Sequence, residues 1–198
     1  MNTRTSTLTI VVAATLAAAL TGCNPAVDAA NPITSATKTT ITTPATPTST
    51  STTLDPAAKE SQDRQDAELV WRKFIGLTIT IASLPADQVE PAITQVAVDP
   101  QLTRLRDENS KLRAQHQAGY GQDVPHITWP QPIDGKDTAV LSDCQDGSQA
   151  GFLDAKTGNK LTVGTPHAPL RGTLQRTPDG WRVANAEALQ GATCTPGK

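Results

Sequence analysis

Apolar and polar positions divide the chain of 198 residues into three parts. An apolar run extends from Leu8 to Leu20 and is followed, after a short interval, by Cys23. The next part is polar, because fourteen of the twenty residues from Thr34 to Thr53 are Thr or Ser. Such a segment has too few apolar side chains to offset the entropy lost on folding, so it predicts a disordered tether. The third part, from Asp55 onward, carries the periodic apolar positions of a folded domain.

Helices are predicted in the first half of this domain. Asp55-Pro56 is a helix start, because Asp caps free N–H groups and Pro fits the first helical position. Pro85 marks the end of this helix, and a short helical piece is expected around 91–98. A further helix begins at Asp99-Pro100 and is expected to end with Gly119 as its C-cap. The periodic positions of the first helix are Ala67, Val70, Trp71, Phe74, Leu77, Thr78 and Ile81.

Strands are predicted in the second half. The extended segments are 126–129, 138–144 and 149–155. The last segment is expected to pair with 138–144 or with the residues that follow it. The sequence "TPDGW" at 177–181 predicts a hairpin turn, because Pro fixes one dihedral angle and Gly supplies a positive φ. Helices followed by an antiparallel sheet predict an α+β fold.

Composition and motifs narrow the function classes. The net charge of −2 gives no electrostatic reason to expect nucleic acid as a partner. The sequence carries no nucleophile elbow, zinc-protease motif, phosphate-binding loop or EF-hand loop. We therefore predict no cofactor and no metal, and a non-enzymatic role is favoured over a catalytic one.

The end of the apolar run carries a specific resemblance. The run is shorter than the roughly 20 apolar residues that span a bilayer, so a transmembrane anchor is disfavoured. An ordinary cleaved signal peptide would leave Cys23 unexplained. Leu20-Thr21-Gly22-Cys23 resembles a bacterial lipobox, in which the Cys thiol receives a diacylglyceryl group and a peptidase cleaves before the Cys.

The lipobox resemblance predicts a domain organisation and a location. Residues 1–22 are then a lipoprotein signal peptide, 23–54 an acylated cysteine with its Thr/Ser/Pro-rich tether, and 55–198 the folded domain. Two acyl chains on Cys23 provide stable attachment to a lipid bilayer. The expected location is the cell membrane, with the domain on its extracytoplasmic face.

Cys144 and Cys194 remain once Cys23 is acylated. One ends a predicted strand and the other follows the last strand. In an oxidising compartment we expect these two residues to form a disulfide. Two free thiols or a metal pair are the alternatives, but no His/Cys spacing supports a metal site.

The domain also resembles a recurring set of actinobacterial and actinophage lipoproteins. The motifs that carry the resemblance are Asp99-Pro100 before a Leu-spaced helix, Gly119 and Gly121 after it, "SDCQDGS" at 142–148, Asp154 with Thr157-Gly158, and "PDGWRV" at 178–183 before Cys194. This set is similar to NTF2-like proteins. The resemblance implies helices packed on a strongly curved antiparallel sheet, the cystatin-like cone, often with a cavity.

Few side chains are candidates for chemistry. His116, His126 and His167 are expected to be structural or solvated, although each could serve as a base to a carboxylate. Asp143, Asp146 and Asp154 could approach a cation, but Asp143 and Asp146 are expected to make local hydrogen bonds in the turn after a strand. The candidates for a pocket or its rim are Trp129, His126 and Asp143, whereas Trp71 and Trp181 are expected in the core.

Three functional interpretations remain open. The preferred one is a surface-tethered, non-enzymatic module that binds an envelope protein or a small apolar ligand. The second is a component of an envelope secretion or conjugation assembly, or a phage-encoded lipoprotein that affects infection. The third is a small-molecule enzyme of the cyclase or isomerase type. An open cone with a buried carboxylate near a histidine would favour the third interpretation, and a filled cone would oppose it.

Overall fold

A computed structural model describes residues 55–196 of the chain. Cys23, the predicted signal peptide and the predicted tether lie outside the described residues. The elements are α1 (Pro56–Thr80), α2 (Ala86–Val96), α3 (Gln101–Ala114), β1 (Gln117–Tyr120), β2 (Ile127–Thr128), β3 (Thr138–Gln145), β4 (Gly151–Asp154), β5 (Ala168–Thr177) and β6 (Gly180–Ala188). A short 3₁₀ turn, Ile81–Ser83, follows α1. Within residues 55–196, no helix is both long enough and apolar enough to cross a membrane.

The helix ends show which local predictions hold. The Asp55 carboxylate accepts a hydrogen bond from the Ala57 N–H at 3.5 Å, and Pro56 opens α1, as predicted. Gly119 does not cap α3, because it lies inside β1. His116 takes the left-handed conformation after the helix instead, with φ of 54°. The position that normally favours glycine is therefore occupied by a histidine, and the glycine is used elsewhere.

The strands form two antiparallel sheets. The larger has the order β2-β3-β5-β6, and the smaller consists of β1 and β4. The predicted hairpin is confirmed, because β5 and β6 pair across the turn with Thr177 opposite Gly180. Of the two pairings expected for 149–155, the one with β3 is wrong, because β4 pairs with β1. The one with the residues that follow is confirmed, because the other edge of β4 forms a bridge from Leu153 to Lys160.

The core lies between the helices and the four-stranded sheet. Trp71 on α1 is fully buried and packs against Phe74, with 5.4 Å between the ring centroids. A Cβ at Gly172 of β5 would lie 2.6 Å from the Trp71 ring and 2.9 Å from the Leu141 side chain. The indole therefore fills the space above the strand, and only glycine fits beneath it. The other fully buried large side chains are Trp181, Ile81, Ile93, Ile133, Leu141, Leu174 and Val183.

These features confirm the α+β class and the placement of Trp71 and Trp181 in the core. A register shift between Thr173 and Leu174 interrupts the pairing of β5 with β6. Such a bulge bends the strand and increases its local twist. The space between α1 and the larger sheet at Gly172 is filled by the Trp71 indole.

Candidate ligand groove beneath the C-terminal tail

Alternation along β3 separates the two faces of the larger sheet. Leu141 and Asp143 face α1, because Asp143 contacts Trp71 of that helix. Ser142 and Cys144 therefore belong to the opposite face, since successive side chains point to opposite sides of a strand. Thr128 pairs directly with Ser142 and shares its face. This face carries a groove of about 370 Å³.

The groove is walled on one side by the C-terminal tail, residues 189–195. The residues that line it from the sheet include His126, Thr128, Ser142 and Leu170, and those from the tail include Leu189, Ala192, Thr193 and Thr195. The Leu189 N–H donates to the Pro169 carbonyl at 2.9 Å, which continues the pairing of β6 with β5 by one residue. The chain then turns, because the Ala192 N–H donates to the Leu189 carbonyl at 3.2 Å and Gly191 has a φ of 72°. Tail and sheet together thus enclose a space of mixed apolar and hydroxyl character.

A disulfide fixes the tail. Cys144 and Cys194 are bonded, with 5.6 Å between their Cα atoms and a sequence separation of 50 residues. The prediction of this pairing is confirmed. Both cysteines line the groove, so the covalent tie is also part of its wall.

Asp143 is a buried carboxylate beside the groove. It is 2% exposed, and its two oxygens accept hydrogen bonds from the Trp71 Nε1–H at 2.8 Å and from the His126 backbone N–H at 2.7 Å. Burial raises the pKa of Asp143 above its usual value, although both hydrogen bonds oppose the shift. Asp143 therefore joins α1 and the segment before β2 to β3.

The expectation of a local turn interaction is wrong for Asp143 and right for Asp146. The partners of Asp143 lie 72 and 17 residues away in the chain. The Asp146 carboxylate accepts from the Ser148 N–H at 2.9 Å, and that bond lowers its pKa. Asp154 likewise accepts from the Thr157 and Lys156 N–H groups, which lowers its pKa. Within residues 55–196, no group of His, Cys, Asp or Glu side chains has the geometry to hold a metal ion.

The structure brings together two of the three pocket candidates. His126 and Asp143 both border the groove, although the Asp143 side chain is directed toward α1. Trp129 is half-buried elsewhere and donates from Nε1 to the Glu68 carboxylate at 2.8 Å. The Arg64 guanidinium lies 5.5 Å from its ring centroid. Trp129 therefore fastens the segment after β2 to α1 and does not line the groove.

The two remaining histidines are exposed in turns and have positive φ. Sequence reasoning did not identify the tail as a wall of the groove. The pairing of Cys194 was the signal that could have located it, because a disulfide to Cys144 brings the neighbouring residues onto the sheet face.

A second, smaller pocket of about 210 Å³ separates the two sheets. It is lined by Asp123, Gln145, Phe152 and Thr162 among others. Burial raises the pKa of Asp123, while a hydrogen bond with Gln145 opposes the shift and the charges of Asp143 and Asp146 reinforce it. The carboxylates at this end of β3 therefore repel one another without forming a metal site.

No family model and no curated protein sequence matches this chain. Solved structures similar to it over 69% of its length include the intermembrane-space region of the chloroplast protein ARC6, at 12% identity, 98% coverage of that chain and a TM-score of 0.43. An NTF2-like protein with a cystatin-like fold from Novosphingobium aromaticivorans is similar at 20% identity, 88% coverage and a TM-score of 0.38 over the same share of this chain. The protein Kfla4162 from Kribbella flavida is similar at 18% identity, 95% coverage of that chain and a TM-score of 0.39, again over 69% of this chain. All three TM-scores lie below 0.5.

Proposed function

We propose that this chain is a membrane-anchored lipoprotein whose domain is a non-enzymatic binding module of the NTF2-like type. The observation that carries the binding role is the groove closed by a disulfide-linked tail. Ala192 and Thr193 of this tail are exposed, so the tail adds little to the core. A covalent tie at this point therefore serves to hold one wall of the groove in place.

The lining favours a small apolar ligand that carries a hydroxyl or amide group. Pro169, Leu170 and Leu189 supply apolar surface, while Thr128 and Ser142 supply hydroxyl groups. The volume of about 370 Å³ falls in the usual range for small-molecule sites, roughly 300–1,000 Å³. Apolar walls with few polar groups bind by desolvation and use the polar groups to orient the ligand.

The same groove offers little for proton transfer. Both oxygens of Asp143 already accept hydrogen bonds from groups that hold the fold together. A general base must lie within hydrogen-bond reach of the substrate proton, and the Asp143 carboxylate is 2% exposed and lies on the face of β3 that contacts α1. The arrangement therefore supports binding in preference to catalysis.

The anchoring part of the proposal rests on the sequence. Leu20-Thr21-Gly22-Cys23 supplies the lipobox, and the Thr/Ser-rich segment supplies a tether to the domain. The disulfide is consistent with an extracytoplasmic location, because such bonds persist in oxidising compartments. The lipid bilayer is thus the first partner, reached through acylated Cys23.

The groove is tested with Ser142→Trp, which places an indole between β3 and the tail. Val140→Trp is the matched control, because Val140 lies on the same strand face but outside the groove. The probe is a set of small fluorinated aromatic alcohols and amides, followed by ¹⁹F line broadening and protein amide shifts. We expect shifts at Thr128 and Thr193 that Ser142→Trp abolishes and Val140→Trp retains. Equal binding to both variants, or no binding to the parent, would contradict the proposal.

Anchoring is tested with Cys23→Ala in the full chain, with Ser35→Ala in the tether as control. Incorporation of labelled palmitate and partition into detergent are measured for each form. We expect the Ser35→Ala control to incorporate palmitate and to partition into the detergent phase. We expect Cys23→Ala to incorporate no palmitate and to stay in the aqueous phase. If mature Cys23→Ala protein stays membrane-bound like the parent, the anchor lies elsewhere.

A further inference from the structure

The smaller sheet has a third, irregular member. The segment Lys160–Gly164 runs beside β4, with the Leu161 and Thr162 N–H groups both donating to the Phe152 carbonyl at 2.8 and 3.1 Å. The Gly164 N–H donates to the Ala150 carbonyl at 2.8 Å, and Lys160 bridges to Leu153. One edge of this segment is therefore fixed to β4. We call the segment Lys160–Gly164 the docking edge.

The docking edge also carries unused hydrogen-bonding groups. Within residues 55–196, the N–H and carbonyl of Val163 make no hydrogen bond, and the Leu161 carbonyl is unused although the Leu161 N–H donates to β4. A row of free backbone groups on a strand is a template for pairing with another extended chain. The side chains on the same segment are apolar and open, with Leu161 50% and Val163 66% exposed.

The docking edge lies far from the residue at which the tether joins the domain. β1 of the smaller sheet contacts the last turn of α1, where a Cβ on Gly119 would lie 1.9 Å from the Ile79 carbonyl. The tether joins at Asp55, at the opposite end of this helix. A helix of 25 residues is about 37 Å long. An anchored domain therefore keeps this edge free of its own attachment point.

We propose that the docking edge binds an extended segment of a partner protein, which adds to the smaller sheet as a further strand. Its backbone would pair with the N–H and carbonyl of Val163 and donate to the unused Leu161 carbonyl, and its apolar side chains would cover Leu161 and Val163. The exposed Lys160 ammonium, which stacks on the Tyr120 ring at 4.3 Å, favours an acidic residue at one end of the partner segment. This interaction goes beyond ligand binding in the groove and does not depend on it.

Two other occupants are less favourable. Thr39–Thr43 of the tether consists of four Thr and one Ile, but twelve residues from Thr43 to Asp55 span at most about 43 Å when fully extended. That segment would have to be stretched nearly straight along the whole of α1. A second copy would bring another Lys160 and no acidic residue, because Lys160–Gly164 contains neither Asp nor Glu, so it lacks the charge that would complement Lys160.

The test selects binding peptides from a random displayed library on the full-length protein in detergent micelles. We expect selected peptides with alternating apolar residues and an acidic end. Selective N-methylation of such a peptide should reduce its affinity at least tenfold at every second position and leave the intervening positions unaffected. Period-two sensitivity identifies strand addition, because only alternate N–H groups face the docking edge.

Variants of the protein complete the test. Val163→Pro removes the free N–H, and Val163→Asp keeps the backbone but removes the apolar side chain. Both should lose at least tenfold in peptide affinity while melting within about 2 °C of the parent. Ser142→Trp, which fills the groove, should bind the peptide unchanged. The proposal is overturned by peptides that do not respond to Val163→Pro or by uniform effects of N-methylation. The proposal would also be overturned if the parent forms dimers that dissociate in Val163→Pro, because a second copy would then occupy the edge. Peptide binding that appears only after the tether is deleted would overturn it too, because the tether would then occupy the edge.

Discussion

The two sheets of the domain are stabilised in different ways. The four-stranded sheet buries large apolar side chains against α1, and Leu141, Leu174 and Val183 are completely inaccessible to solvent. The smaller sheet has Phe152 only half-buried, and its outer segment exposes Leu161 and Val163. Burial of a large apolar side chain contributes roughly 1.5–3 kcal/mol, so most of the stability resides in the larger sheet.

The glycines of the two sheets show the same contrast. Gly172 in the larger sheet makes room for the Trp71 side chain. Gly119 and Gly151 in the smaller sheet make room for backbone, because a Cβ would lie 1.9 Å from the Ile79 carbonyl and 2.3 Å from the Thr162 carbonyl. The smaller sheet therefore depends on close approach of main chains, which leaves its side chains free for other contacts.

The largest effect is expected from Trp71→Ala in the larger sheet. The substitution leaves a cavity beside Gly172 and removes a donor from Asp143. We expect a loss of about 4 kcal/mol in the free energy of unfolding, measured by urea denaturation. Leu69→Ala on the same helix is the control, because Leu69 is 54% exposed and should change stability by less than about 0.5 kcal/mol. A small effect of Trp71→Ala would refute the assignment of the core.

Removal of the disulfide is expected to have the second largest effect on stability. The double variant Cys144→Ser/Cys194→Ser opens a loop of 50 residues. The chain-entropy model predicts a loss of up to about 4 kcal/mol in the free energy of unfolding, and disulfides typically contribute about 2–4 kcal/mol. We expect a melting temperature lower by several degrees, with the far-UV circular dichroism retained. Unchanged melting would show that the tail adds nothing to the stability of the larger sheet.

Asp143→Asn is expected to cost about 1–3 kcal/mol in spite of its unchanged shape. An amide has one oxygen, so its NH₂ group must face either the Trp71 Nε1–H or the His126 N–H. Thermal melts at pH 7 measure the loss. Asp146→Asn is the comparison, because that carboxylate lies in a turn and its replacement should have a smaller effect.

Asp63→Asn is expected to have the smallest effect, on the order of 1 kcal/mol at neutral pH. Burial alone would raise the Asp63 pKa, but Arg176 at 2.8 Å and Lys59 at 3.0 Å outweigh it and hold the pKa below 3.8. A lowered pKa stabilises the fold above about pH 4, and this contribution disappears as the pH falls through the lowered value. The difference in stability between parent and variant should therefore shrink below pH 3.8. A difference that is constant from pH 3 to 7 would contradict this ion pair.

The sequence predicted those parts of the fold that are controlled by side-chain type. Asp55-Pro56 starts a helix and "TPDGW" forms a hairpin, because each residue sets its own local conformation. The pairing of Cys144 with Cys194 followed from cysteine parity and strand ends. Burial of Trp71 followed from its helical spacing.

The smaller sheet and most of the groove were not predictable in the same way. β1 was not predicted because "QAGY" has weak strand character. Gly119 leaves space for the Ile79 carbonyl, and a contact between these two distant positions cannot be inferred from the sequence pattern. Asp143 was misplaced because its partners lie 17 and 72 residues away. His126 was expected at a pocket, but the tail that closes the pocket has no periodicity that indicates its path.

Native-state hydrogen exchange of the two sheets tests the central claim, that stability resides in the larger sheet. The hydrogen-bonded amides of β3 and β5 should exchange only on global unfolding, so their protection should fall together in Trp71→Ala. The amides that pair β1 with β4 should exchange at least tenfold faster and should respond little to Trp71→Ala, because local opening does not require the core to separate. Equal protection of both sheets, falling in parallel in the variant, would contradict the account.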